Sequence, residues 1–567
     1  MGRLKLLLIA ILTLNPLFFV NGQTSTFDQI TQEQTRLEMN STILLSGQDL
    51  LYRVVVQGAQ KNLSKIAYVS LIDERGKTWF LHKVAINKQR IGSASFIIPP
   101  DAITGNYKLL SYTSWSKNNK KTAYFSQDLL VINPFIPLKK GVNAPSTKEI
   151  YTIIERESSK DVTTGNSAIN VALNTQTYRP REEVIVDITA ENLAFEGNYG
   201  LSVRQVPVTQ TDQKLQASHI NHKEENKMYL PEIKGDLISG NIESDETSVS
   251  NQLISLSIPG KKSNFKLTET NKDGRFVFLI DQPYDTSKAI IQVLDKSVDF
   301  KIIVDVNLPE PAEKPSFKKV ILDPSLTYWI TEQSIDLQIE NAYQELPTTA
   351  TDSIENQKFY HPFATRYILD DYTRFPSMHE TFTEVVELAA MRIETDQVRM
   401  LVYNSDAIFK SELNKLAPLI LIDGIQIQDF SLVANLKPAR VDNIDVVAQQ
   451  YRYGPRIFGG IIAINTKEND FRLPENSPNM TSFELVNPIK NSGFINKNYQ
   501  NKSDFSRIPD YRSQLFWNPQ IAITQQPKQI SFFTSDKKGI FEIALTGYTL
   551  SGEKIEVKKT FRVLMEQ

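Results

Sequence analysis

Five times between residues 49 and 115 the chain repeats one pattern, a short apolar-rich run closed by turn residues: Asp49 to Val56 (DLLYRVVV), Ile66 to Leu71 (IAYVSL), Thr78 to Val84, Ser93 to Ile98 and Tyr107 to Trp115. Successive side chains of a strand point to opposite faces, so short alternating runs predict half-buried antiparallel strands. Strands this short and this closely spaced fold as β-sandwiches. The pattern returns at TYRPREEVIVDITAEN from Thr177, where Pro180 suits a strand edge and Val184, Ile185 and Val186 an interior, and GNYGLSVRQVPV supplies a partner strand. From Pro231, the runs PEIKGDLISGNIE, SLSIPG, FKLTETNKDGRFVFLI and AIIQVLDKSVDFKIIV make a further all-β set. Asn271 to Gly274 is its hairpin turn, because Asp-Gly supplies the positive φ a tight turn demands.

Two stretches break the strand pattern. Thr331 to Tyr343 (TEQSIDLQIENAY) is rich in helix formers, with Ile335, Leu337, Ile339 and Tyr343 apolar. Pro376-Ser377-x-x-Glu380 before FTEVVELAA has the form of a capping box, and Phe382, Val385, Val386 and Ala389 then share one helical face, which is read as core. Pro418 to Asp423 is a continuous apolar strand ending at Asp-Gly, and Ile444 to Val447 and Phe458 to Asn465 are two more strands. This part therefore reads as a mixed α/β unit. Lys139 to Asn170 lacks apolar periodicity and is rich in Ser, Thr, Lys and Asn, which predicts a linker.

A chain of 567 residues exceeds one hydrophobic core, so several domains are expected. Its N-terminus, MGRLKLLLIAILTLNPLFFVNG, sets Arg3 and Lys5 before an apolar stretch from Leu6 to Val20, which predicts an export signal cleaved before Gln23. No later stretch is apolar for the length a spanning helix needs, so no membrane-spanning segment is expected after cleavage. The 63 basic and 65 acidic residues nearly cancel, which argues against nucleic acid as a partner. Cysteine is absent, which removes disulfides, thiolate catalysis and Cys-based zinc sites together.

Three groups of motifs carry resemblances. LLSGQDLLYRVVV, LIDERGKTW and SASFIIPPDAITGNYKLLSYTSW, in that order, resemble the MG2 domain of the alpha-2-macroglobulin family, with Gly47, Gly76, Pro99, Gly105 and Tyr107 in the matching places and Gln48-Asp49 where Gly-Glu is usual. Thr270, Gly274, Phe276 and Phe278 match the Thr-x-x-x-Gly-x-Phe-x-Phe segment of the carboxypeptidase regulatory-like domain, a transthyretin-like sandwich without chemistry. Pro-Leu-x-x-Ile-Asp-Gly from Pro418, Ile-x-x-Ile-Asp-Val and Tyr-Gly-x-x-x-x-Gly-Gly-Ile-Ile-x-Ile-x-Thr-Lys resemble the second half of the plug domain of TonB-dependent outer-membrane receptors, on Asp423, Gly424, Tyr453, Gly454, Gly459 and Gly460. RYILDDYTRFPSMHETFTEVV resembles a segment preceding that module in exported Bacteroidota proteins that join macroglobulin-like domains to a plug-like one, and Trp517-Asn518-Pro519, Phe532, Asp536, Gly539 and the Gly547 to Gly552 region resemble the sandwich strands that close them. In the receptors the plug fills a barrel of about 22 strands. The stretch after Lys467 is too short for such a barrel at about 10 residues per strand, so no barrel is expected in this chain.

Chemistry has few candidates. YRYGPRIFGGIIAI has glycines, but they precede a strand and no Lys-Ser/Thr follows in P-loop register, so it is not read as a phosphate cradle. His219 and His222 would clip a metal only if helical and are expected in a solvated loop. His361 and His379 flank Asp370 and Asp371, an acid/base group in outline but read as dressing of the helix N-terminus after Pro376. Neither a Gly-x-Ser-x-Gly elbow nor a His-Glu-x-x-His helix occurs. The thioester of some alpha-2-macroglobulins requires cysteine and is excluded. Tyr451, Tyr453, Trp115 and Trp517 are candidate binding anchors that more often serve packing.

The expected fold is mainly β, a string of immunoglobulin-like or macroglobulin-like β-sandwiches with one α/β plug-like domain. Its boundaries are a signal peptide at 1–22, an MG2-like sandwich at 23–138, a linker at 139–170, a macroglobulin-like sandwich at 171–230, a carboxypeptidase regulatory-like sandwich at 231–306, a plug-like domain with flanking helices at 307–475 and a C-terminal macroglobulin-like sandwich at 476–567. No catalytic residue, cofactor or metal is expected. The expected role is a non-enzymatic exported protein in the periplasm or on the cell surface, associated with the outer membrane through protein contacts, with a TonB-dependent transporter or other barrel component as partner. The alternative is a surface glycan- or peptide-binding module feeding a transporter.

Overall fold

The structure is a computed structural model. It describes residues 33–58, 64–119, 121–137, 150–156, 164–165, 169–206, 208–223, 228–282, 284, 286–294, 298–305, 311, 314–343, 358–394, 397–403, 416–474, 479–490, 494–499, 508–549 and 553–564. The export signal lies outside the described residues. The chain is mainly β and divides into two units. The first comprises Met1–Ile233, Leu308–Thr349 and Pro488–Gln567, the second Lys234–Asn307 and Ala350–Asn487.

The first unit contains two sandwiches. In the N-terminal one, the strands Gln34–Met39, Asp49–Gln57 and Ile91–Ile97 form one sheet. The other sheet runs Ala217–Ile220, Tyr124–Ile132, Gly105–Tyr112, Ile66–Ile72 and Thr78–Ala85, with Ile43–Leu45 pairing parallel to Tyr124–Ile132. Leu50, Tyr52, Val54 and Val56 of the first sheet meet Ala67, Val69, Leu109, Leu129 and Val131 of the second, as alternation requires. All five predicted strand runs are present here.

The second sandwich corrects two expected boundaries. Glu183–Ala190 pairs with Ile169–Leu173 on one side and Lys528–Phe533 on the other, while Gly197–Gln205 lies between Gln514–Ile523 and Gly539–Thr549. One core holds Val184, Val186, Ile188, Tyr199 and Leu201 together with Phe532, Phe541, Ile543 and Phe561. The segments expected as separate sandwiches at 171–230 and 476–567 are thus two halves of a single one. Neither half has enough strands to cover its own apolar face.

Two more expectations on the first unit change. Within the expected linker, Ile150–Glu155 is a strand between Thr209–Thr211 and Lys319–Leu322, and its Tyr151 and Ile153 are fully buried with Leu45, Leu130 and Ile132. The predicted helix spans Thr327–Ala342 but belongs to this unit and not to the plug-like region. Its inward positions are Gln333 and Ser334, while Ile335 is 52% exposed.

In the second unit, Asp236–Glu243 pairs with Arg275–Ile280 and Lys301–Val304, facing a sheet of Asn264–Glu269, Leu253–Ile258, Lys288–Val293 and Met480–Glu484. Phe276, Phe278 and Ile280 fill the core between them. Gly274 turns at φ +74 with its N–H on the Asn271 carbonyl, the predicted hairpin. Met480–Glu484, expected in the C-terminal sandwich, is an edge strand here.

The α/β part of this unit has a five-stranded sheet in the order Thr365–Ile368, Val441–Val447, Ile461–Thr466, Leu419–Ile422 and Ile425–Gln426. Ser377 Oγ accepts from the Glu380 N–H and opens the helix Met378–Glu384, as the capping box predicts. Phe382, Val385, Val386 and Ala389 are all buried, yet the helix ends at Glu384 and Ala389 begins the strand Ala389–Ile393. No helix among the described residues is long and apolar enough to cross a membrane.

Candidate functional site

The residues singled out in the plug-like motif build turns. Asp423 and Gly424 both have positive φ, +50 and +82, the requirement of a two-residue I′ hairpin, and they join Leu419–Ile422 to Ile425–Gln426. The Asp423 carboxylate, 1% exposed, accepts from Thr466 N at 2.7 Å, Thr466 Oγ1 at 2.6 Å and Phe471 N at 3.0 Å. A Cβ on Gly424 would stand 2.5 Å from Ser263 Cβ, so the turn approaches the neighbouring sandwich of the same unit more closely than any other residue permits. Gly454 packs likewise on the Leu267 carbonyl, and the Tyr453 hydroxyl donates to the Phe265 carbonyl. Gly459 N donates to the Ala417 carbonyl, and Gly460 lies against Val447 and Val402. Gly424, Tyr453 and Gly454 thus seat the α/β sheet on the sandwich beside it, while the Asp423 carboxylate, Gly459 and Gly460 hold the sheet's own strands and turns together.

The aromatic candidates are packed as well. Tyr453 stacks on Phe265 and lies 4.3 Å from the Phe359 ring, Tyr451 donates to the Phe359 carbonyl, and Trp517 is buried.

The histidines do not converge. His219 lies in the strand Ala217–Ile220 beside the Arg36 guanidinium, and burial, then the Arg36 charge, lowers its pKa. His222 is buried between the Tyr124 and Tyr229 hydroxyls at 2.7 and 3.1 Å. The strand holds His219, and His222, two residues past its end, forms an isolated bridge with Pro311, so neither lies in the expected solvated loop. His361 contacts Arg366, which grips Asp445 through Nε at 2.7 Å and Nη2 at 3.0 Å. Asp370 is held instead by Arg374 and Lys467, first through the Arg374 hydrogen bond, which depresses its pKa. Asp371 and His379 are exposed. Among the described residues no group of three or more His, Asp or Glu is placed to hold a metal ion.

One concavity among the described residues is not announced by the sequence. A cleft of about 400 Å³ in the first unit is walled by Asp49, Arg204, Leu337, Glu340, Phe494 and Arg512, among others. Most of the charge around it is matched. Asp510, 1% exposed at its side chain, accepts from Arg512 Nε at 2.8 Å, Arg512 Nη2 at 2.9 Å and the Tyr499 hydroxyl at 2.6 Å, with Lys497 3.6 Å away. Burial alone would raise the Asp510 pKa, but Arg512, Tyr499 and Lys497 outweigh it and hold the carboxyl below its usual value. Asp536 receives Arg181 through Nε and Nη2, both at 2.7 Å, and Lys537 pairs with Asp336 at 2.7 Å.

Three groups are left over. Arg204 gives one Nη1–H to the Asn40 carbonyl at 2.9 Å, its Nε–H has no acceptor, and burial lowers its pKa to about 10. Glu340, on the helix Thr327–Ala342, forms no ion pair among the described residues; burial raises it to about 7, with Lys537 pulling the other way. Asp49 stands at the mouth, likewise without an ion pair. Carboxyls displaced toward neutrality inside a cleft mark candidate binding positions.

The Glu340 displacement has a stability signature. A carboxyl whose folded pKa lies above its unfolded one stabilises the fold fully below the unfolded value of about 4.3, and that contribution is lost as pH rises through about 7. The Glu340→Gln variant removes this dependence. Its stability relative to wild type is expected to rise between pH 5 and 8 by about 1–2 kcal/mol, discounted for partial exposure, in paired urea titrations.

No protein-family model matches the chain, and no curated protein matches it. Among solved structures, Salmonella alpha-2-macroglobulin reacted with methylamine is 8% identical, with 94% of this chain and 39% of that one covered and a TM-score of 0.23. Escherichia coli alpha-2-macroglobulin activated by porcine elastase is 7% identical, with 94% and 44% covered and a TM-score of 0.24. The chain spans about two fifths of the length of the macroglobulins it is similar to.

Proposed function

We propose that the protein is a non-enzymatic, exported component of a Gram-negative envelope that works through protein–protein contacts at the outer membrane, with a barrel or transporter component as partner. The observation in its favour is how the plug-like unit is used. Its Asp423-Gly424 hairpin and its Tyr453-Gly454 turn are seated on Ser263, Phe265 and Leu267 of the adjoining sandwich, so the unit is built into a β-rich frame of its own chain. The described strands after Lys467 also go to sandwiches, Met480–Glu484 to one and Gln514–Ile523, Lys528–Phe533, Gly539–Thr549 and Lys554–Val563 to another. A plug-like unit framed in this way has its barrel, on this reading, in a second chain.

The reading predicts the outcome of crosslinking in intact cells followed by purification of the native protein. An outer-membrane barrel component is expected in the crosslinked product. Recovery solely as a free monomer overturns the proposal. Protease added to whole cells then fixes the side of the membrane, because only a surface-exposed chain is cut.

A further inference from the structure

The cleft of the first unit carries an inference that holds on either side of the membrane. Three charged groups of its wall form no ion pair among the described residues: Arg204, which stands opposite Glu542 in strand register, and the carboxylates Glu340 and Asp49. Leu337, Phe494 and Ile495 supply apolar wall beside them, with Ile495 49% exposed. A fatty acid or other simple anion would leave the carboxylates unanswered, and a polyamine would leave Arg204 so. An uncharged sugar would neutralise neither. A ligand with a cation on an aliphatic stem and a carbonyl a short distance away answers all of them, and a peptide with a basic side chain has that form. The volume lies within the range of small-ligand pockets.

We propose that this cleft binds a short extended peptide through a lysine or arginine side chain, whose cationic head is received by Glu340 with Asp49 at the mouth, while a main-chain carbonyl of the peptide faces Arg204. The stem of the side chain lies along Leu337 and Phe494. Besides the ligand, Glu340 is faced by Lys537, Arg512, Asp510 and Asp336, of which Arg512 is already held by Asp510 and Lys537 by Asp336. Glu340 is therefore the carboxylate left to take an incoming cation.

The test is fluorescence anisotropy of the whole purified protein with two labelled pentapeptides, Gly-Ala-Lys-Ala-Gly and its norleucine counterpart, from pH 5.5 to 8. At pH 8 the lysine peptide is expected to bind about tenfold tighter, the scale of one charge-assisted hydrogen bond. The preference is expected to shrink below about pH 6.5 as Glu340 takes up a proton. Glu340→Gln is expected to abolish it, and Asp49→Asn, on a different element, to reduce it about two- to threefold. Equal binding of the two peptides, no binding of either at about 1 mM, or a preference unchanged by pH overturns the proposal. Should Glu340→Gln fail to fold, Asp49→Asn and the wild-type pH profile decide alone. A failure here leaves the outer-membrane reading untouched, since crosslinking tests that separately.

Discussion

Arg53→Leu is expected to destabilise the first unit by about 3–5 kcal/mol, the cost of stranding one partner of a buried ion pair. Arg53 sits mid-strand between Leu50–Tyr52 and Val54–Val56 and is 1% exposed. Its position opposite Glu38 is fixed by strand register, and its Nε lies 2.8 Å from Glu38 Oε2. The guanidinium then reaches into the second sandwich, where Nη1 donates to the Pro519 carbonyl at 2.8 Å and Nη2 to the Asn198 carbonyl at 3.3 Å. Gly200 makes room for it, since a Cβ there would stand 3.1 Å from Arg53 Cδ. Glu38 in turn accepts from Thr546 Oγ1 of the same sandwich at 3.0 Å. Removing the arginine leaves a shielded carboxylate and takes one donor from each of two part-buried carbonyls, whereas leucine restores only part of the packed volume. The double variant Arg53→Leu/Glu38→Leu removes the stranded charge as well and is expected to recover most of the loss, because apolar pairs often replace buried ion pairs at little cost. Urea denaturation of the wild type, both single variants and the double variant closes the cycle. A single-variant loss under about 1 kcal/mol would show that water reaches the pair.

This strand also shows where reading the sequence stops. Alternation finds the strands of the N-terminal sandwich because each has one face in the same core, Leu50, Tyr52, Val54 and Val56 being an example. It does not reveal that the opposite face, Leu51, Arg53 and Val55, is covered too, because that depends on a segment far along the chain. The same limit explains the divided sandwich. Periodicity in Glu183–Ala190 and Lys528–Phe533 says that each strand is half-buried and nothing about their pairing. Ile150–Glu155 was obscured by the polar sequence around it, although Tyr151 and Ile153 bury the expected alternate positions. The cleft was invisible for a related reason. Asp49, Arg204, Glu340 and Asp510 come from four distant segments, and a single glutamate within a helix has no spacing signal to distinguish it from a solvated one. Local signals did better: Ser377 caps its helix, and the Asp-Gly pairs at 273–274 and 423–424 both turn the chain.

At the second of those pairs, Asp423→Ala is expected to cost the second unit about 2–4 kcal/mol, since it removes the acceptor for two backbone N–H groups and one hydroxyl in a buried place. Two effects contribute. The Thr466 amide loses its partner in a buried place, at about 1–3 kcal/mol for a group left unsatisfied, and the Phe471 amide in a part-buried one, at less. Alanine must also hold φ near +50, a conformation that aspartate tolerates better. Asp423→Gly separates the two, because glycine adopts the turn without strain but offers no acceptor. If hydrogen bonding dominates, the glycine variant remains nearly as unstable as the alanine one. If backbone strain dominates, it recovers most of the difference. Asp423→Asn keeps one carbonyl oxygen for a single amide and is expected to fall between alanine and wild type. The measurement is amide hydrogen exchange at Ile464 and Thr466, whose strand the turn closes, with tryptic cleavage after Lys467 as a second readout. The burial of Asp423 and its bonds to the far strand require protection to fall first at Thr466. Uniform loss across the unit in the alanine variant would instead mean that the hairpin is part of one cooperative core with Ile420, Ile422, Ile462 and Ile464, which surround it on the same sheet.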